Sequence, residues 1–111
     1  MFVVSNRVPV SPDWREEFEK RFRERAGQID KQPGLVRMEI HKPADDDSPY
    51  VVQTVWRDEA SFRNWVGSDD FRAAHANPLP KEAFDGDGRM EKHEVIVASG
   101  RSSREVLNEA P

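Results

Sequence analysis

The order in which apolar residues alternate or form stripes along this chain leaves few folds open to it. Residues 2–8 alternate between two faces, Phe2, Val4, Asn6 and Val8 on one and Val3, Ser5 and Arg7 on the other, the period of a strand. Pro9 ends the run. Ser11-Pro12-Asp13 then opens a helix with a capping hydroxyl, a proline suited to the first helical position and an acid in the first turn. Trp14, Phe18, Phe22, Ala26 and Ile29 follow at spacings of four and three, an apolar stripe on a charged helix that Pro33-Gly34 stops. Val36, Met38 and Ile40 alternate with Arg37, Glu39 and His41 in a second strand. An acidic link, Asp45 to Pro49, leads to a third strand, Tyr50–Trp56, apolar on both sides and so expected to be covered on both. Asp58 is placed to cap a second helix bearing Phe62, Trp65 and Val66. Gly67 interrupts that helix, and Ser68 caps a short continuation through Phe71 and His75, closed by Asn77-Pro78. Residues 77–89, with two prolines and two glycines, read as a mobile loop, and residues 90–98 as the last strand.

That order, β-α-β-β-α-β, is the ferredoxin-like α+β arrangement: an antiparallel sheet with two helices on one face. The domain is expected over residues 1–98. A polar tail follows over 99–111, expected to fray apart from a helical turn at Arg104–Asn108. Tyr50, Val52, Trp56 and the apolar members of the last strand are expected on the sheet face turned away from the helices. A homodimer that pairs two sheets would cover such a face.

Composition narrows the chemistry. There is no cysteine among the 111 residues, which removes disulfides, thiolate catalysis and Cys-ligated metal centres and suits a reducing cytoplasm. A net charge of −4 argues against nucleic-acid binding, which needs a basic face. No apolar run is long enough to cross a bilayer, and the first residues lack the basic-then-apolar pattern of an export leader. A cytoplasmic protein is expected. No GxGxxG, P-loop or HExxH pattern occurs, and no pair of acids stands out from the solvated helix faces.

Three residues remain conspicuous. Asn6 shares a strand face with Phe2, Val4 and Val8, where an amide must find a partner or line a polar spot in a cavity. His75 lies in Phe71-Arg72-Ala73-Ala74-His75-Ala76, among small residues that would let a flat ligand approach; neutral imidazole is a good iron ligand. A histidine at a helix C-terminus also stabilises the helix dipole without any ligand. Trp65, one helix break before His75, is either core or the wall of the same pocket.

The stretches FEKRFRERAG (18–27), QPGLVRMEI (32–40), YVVQTVW (50–56) and SFRNWVGSDDFRAAHA (61–76), with Asn6 before them, carry a resemblance. Over about residues 2–98 the chain resembles the antibiotic biosynthesis monooxygenase superfamily, and within it the haem-degrading monooxygenases of the IsdG and MhuD type. The resemblance implies a dimeric α+β barrel and oxygen-dependent cleavage of haem, which is substrate and cofactor at once, with release of iron. It implies His75 as the proximal iron ligand, Asn6 on the distal side bonding to the oxygen, and Trp65 pressing the porphyrin out of plane. Phe22 matches a pocket aromatic and Arg25 a basic position nearby. The implied partners are haem, a second copy of the chain and an external reductant or reductase.

Three other readings stand beside this one, the plainest a dimeric domain whose pocket binds some other small apolar molecule. A cofactor-independent monooxygenase of aromatic polyketides or quinols would use Asn6 and Trp65 and leave His75 incidental. A haem carrier would bind without turnover. The acids in KEAFDGDG (81–88), close to the carboxylates of a bound haem, weigh against tight binding.

Overall fold

The computed structural model describes residues 1–25 and 27–100. Four strands, β1 (Phe2–Val8), β2 (Leu35–His41), β3 (Tyr50–Trp56) and β4 (Arg89–Glu94), form one antiparallel sheet in the order β2-β3-β1-β4. The helices α1 (Arg15–Arg23), α2 (Glu59–Val66) and α3 (Asp69–Ala74) fall where the two crossings of a ferredoxin-like fold require them. Among the described residues no helix is long and apolar enough to cross a membrane.

Local chemistry sets the helix ends. The Asp58 carboxylate caps α2 by accepting the Ser61 N–H at 2.8 Å, and the Ser61 hydroxyl, donating at 2.7 Å, and then that N–H hold its carboxyl below the usual range. Ser68 joins α2 to α3, donating its hydroxyl to the Trp65 carbonyl at 2.7 Å and accepting the Phe71 N–H at 3.1 Å. Ser11 does not cap the first helix. Its hydroxyl lies 3.1 Å from the Glu82 carbonyl and 2.7 Å from the Asp85 carboxylate, tied to the far loop instead. The first helix also ends at Arg23, short of the expected stripe. Gly27 takes a left-handed φ of 76° and Ile29 sits in a separate 3-10 turn, Gln28–Lys31. Ala26 of that stripe lies outside the described residues, as does the turn expected at Arg104–Asn108.

The sheet face carrying Phe2, Val4, Asn6 and Val8 is the helix-covered one, and it includes Tyr50, Val52 and Trp56 through direct cross-strand pairing. These three therefore do not lie on the outer face, contrary to the sequence expectation. In a strand apolar on both sides, only the register with β1 decides the face. The outer face carries Val3, Ser5, Arg7, Val51, Gln53 and Val55, with Arg7 donating to Glu91 at 2.6 Å and keeping that carboxyl below its usual range. A register irregularity between Leu35 and Arg37 turns Val36 out to solvent and sends Leu35, Met38 and Ile40 towards the helices.

Two further segments differ from expectation. The last strand stops at Glu94, and Ile96 and Val97 stand 90% and 82% exposed beyond it. The loop over 77–89 is pinned through its middle. Ala83 is fully buried, Phe84 bridges Val10, and the Ser11 and Asp85 N–H groups donate to Ala83 and Pro9 carbonyls, both at 2.8 Å. Backbone pairing with the segment after β1 anchors a composition that otherwise reads as loose.

Candidate functional site

The core is split. Val4, Ile29, Trp56, Phe62 and Trp65 pack under α2, with Phe2, Leu35, Met38 and Phe71 around them. Val10, Phe18 and Tyr50 pack under α1, with Val8, Phe22, Ile40, Val52 and Leu79 around them. Val4 and Val8 belong to opposite sides, so Asn6, between them on the same strand face, lies on the seam. Its cross-strand neighbours are Val52 and Met90, which offer its amide no polar side chain. A half-buried amide without a polar side chain opposite it is free to bond to something in the seam.

Trp65 lies in the last turn of α2 and is 5% exposed, backed by the α2 cluster. Its ring meets Phe71 edge-on at 5.6 Å, and Phe71 lies against His75 at 4.1 Å. An aromatic chain thus joins Trp65 to His75 across the helix break. His75 is the C-terminal cap of α3, exposed among exposed Ala73, Ala74 and Ala76. Its Nδ1 is 2.8 Å from the Phe71 carbonyl. A carbonyl only accepts, so Nδ1 carries a proton in this contact and Nε2 is the ring nitrogen turned outwards, the one that could ligate a metal. Among the described residues no three of His, Asp and Glu group to hold a bare metal ion, so a metal on His75 must bring its other ligands along.

The α1 side supplies the remaining candidates. Phe22 and Arg25 line one cleft of ≈ 290 Å³, open to solvent, with Glu19, Arg23, Met38, Ile40, Lys42 and Tyr50. Asn6, Trp65 and His75 are not in its lining. Arg25 is paired with Asp30 at 2.9 Å. One hydrogen bond spans from α1 to the His75 side: Arg21 Nη1 donates to the Asn77 carbonyl at 2.6 Å. Sequence reasoning missed Glu19, Lys42 and Tyr50, the last assigned to the wrong face. The stretch Lys20–Arg25, Arg21 within it, reads as a helix surface of mixed charge from which an arginine could reach a ligand carboxylate.

A family model described as antibiotic biosynthesis monooxygenase matches residues 1–77, from before Asn6 to just past His75. The chain belongs to the antibiotic biosynthesis monooxygenase family. It is 31% identical over 105 residues to a staphylobilin-producing haem oxygenase of Staphylococcus epidermidis, covering 93% of this chain and 96% of that one. Among solved structures it is similar to the haem degrader MhuD of Mycobacterium tuberculosis with two haems bound in its active site. That match has 27% identity and a TM-score of 0.74, covering 90% of this chain and all of the other. It also resembles a variant of SnoaB, a cofactor-independent oxygenase of Streptomyces nogalater, at 25% identity and a TM-score of 0.68 over 87% and 94% of the two chains. A haem-bound degrader and an oxygenase described as cofactor-independent are thus both similar to this chain in fold.

Proposed function

We propose that this antibiotic biosynthesis monooxygenase family member degrades haem with oxygen, with His75 as the proximal ligand to the iron. The hydrogen bond from His75 Nδ1 to the Phe71 carbonyl carries the reading. It fixes the tautomer, orients the ring and leaves Nε2 free on an open surface of alanines. Bound haem supplies an iron able to activate oxygen, and is itself the molecule opened. The chain's residues do the rest. Asn6 is the one polar side chain on the β1 face of the seam, and its amide can donate towards the reacting oxygen. Trp65 would meet the macrocycle as part of a wall that Ile29, Trp56 and Phe62 keep from yielding. Phe22 and Arg25 line the α1 side.

This reading requires an external reductant or reductase, because nothing in the chain stores electrons. It includes a cytoplasmic working place, which the absence of cysteine suits. It also includes a homodimer, now supported by the exposed Ile96 and Val97 rather than by Tyr50, Val52 and Trp56.

Haemin titration tests it. The wild type should give a sharp Soret shift that His75→Ala loses without loss of fold, since His75 is exposed. An aerobic reductant should then bleach the band and release iron. No Soret shift would return the chain to the haem-free chemistry of relatives such as the SnoaB oxygenase. A shift followed by a stable complex would make it a carrier.

A further inference from the structure

The cleft under α1 carries more positive charge than its own acids offset. The Glu19 carboxylate accepts the Tyr50 hydroxyl and stands 3.3 Å from Lys42 Nζ and 3.2 Å from an Arg23 nitrogen. The Tyr50 hydrogen bond, and after it Lys42, hold the Glu19 carboxyl below its usual range, so it is ionised at neutral pH. Among the described residues Arg25 pairs with Asp30, while Arg23 and Lys42 share one carboxylate, which leaves a positive charge over at the rim. Beneath them Phe22, Met38, Ile40 and the Tyr50 ring make an apolar floor. An apolar floor under a rim of excess positive charge complements a flat apolar molecule with acidic groups on one edge.

We propose that Arg23 and Lys42, neither of them part of the haem reading above, receive a carboxylate of the bound porphyrin and turn its acidic edge towards β2. The proposal rests on that haem reading and adds to it the orientation of the substrate. Glu19 acts against the ligand: it competes for the two cations while tying α1 to the sheet through Tyr50. Removing its charge, with its hydrogen-bond acceptor kept, should favour the ligand.

The test compares haemin with haemin dimethyl ester, which has the same macrocycle and no carboxylate, by Soret titration at low salt. Wild type should bind haemin about two- to fivefold tighter than the ester, the range an exposed charge pair supports. Lys42→Ala should narrow that gap. Glu19→Gln, which still accepts the Tyr50 hydroxyl, should widen it by strengthening haemin and leaving the ester unchanged. Equal affinities in the wild type would overturn the proposal and leave the haem reading intact. So would a Glu19→Gln variant that weakens both ligands alike, because Glu19 would then be purely structural. Failure of the wild type to bind either compound would overturn the haem reading, and this proposal with it.

Discussion

The two walls of the seam differ in kind. Under α2 the cluster is apolar and closed, and among the described residues its one buried side-chain hydrogen bond runs within β3, from the Trp56 indole to Thr54 at 2.8 Å. Under α1 the smaller cluster ends in a polar chain from the Tyr50 hydroxyl through Glu19 to Lys42 and opens into a cleft. Both walls rise from the same face of β3, with Trp56 at one end and Tyr50 at the other. A closed apolar cluster resists deformation and holds Trp65 in place. A cluster with a charged rim gives up some apolar burial and gains selectivity for what enters beside it.

Substitution on each wall should separate stability from binding. Trp65→Ala removes a buried indole and should lower unfolding free energy by about 3–5 kcal/mol in urea titration. Phe22→Ala, from a half-buried position, should cost less than half as much yet weaken haemin binding more per unit of stability lost. Equal stability losses would abolish the distinction between the walls. The milder Trp65→Phe keeps the wall, and should leave haemin bound while slowing the bleaching step if the indole bends the macrocycle.

Tyr50 offers a gentler probe of the polar wall, because it is the chain's single tyrosine and its phenolate absorbance reads one site. Burial, and then the Glu19 carboxylate, push its hydroxyl up to about 12. A folded pKa above the unfolded value of about 10 means that neutral Tyr50 stabilises the fold fully below pH 10. That contribution fades as pH climbs towards 12. Alkaline titration should show a midpoint near 12, moved down in Glu19→Gln. A midpoint near 10 in the wild type would mean that the α1 wall is open to water at Tyr50.

Much of this was legible in the sequence. Strand and helix order follow from short-range periodicity, and the Asp58 and Ser68 caps from side-chain chemistry within three residues. Asn6 was conspicuous because an amide on an apolar face is costly. Resemblance named Phe22 and Arg25, and both line the α1 cleft, but Asn6, Trp65 and His75, named with them, do not. What escaped depends on distant pairing. The face of Tyr50 follows from the register of β3 with β1, and the anchoring of the 77–89 loop from backbone bonds to Pro9 and Ser11. Lys42 looks like any solvated cation, and Arg23 is one of several α1 arginines able to reach a ligand carboxylate, until the fold brings both to Glu19.

The smallest expected effect bears on how the walls are held apart. Arg21 lies on the α1 wall, and its bond to the Asn77 carbonyl ends two residues past His75. Its other partner is Glu17, one turn back along α1 at 3.5 Å, which keeps the guanidinium aimed across the gap. An exposed contact of this kind contributes at most about 1 kcal/mol, so Arg21→Ala should shift unfolding by no more than that. The ring position of His75 relative to α1 is a finer property. Loss of the bond should let the end of α3 swing and speed haemin dissociation a few-fold in stopped-flow transfer to an apo-globin acceptor, with Arg21→Lys in between. A dissociation rate unchanged in Arg21→Ala would mean that packing alone, through Leu79 against the α1 cluster, sets the width of the seam.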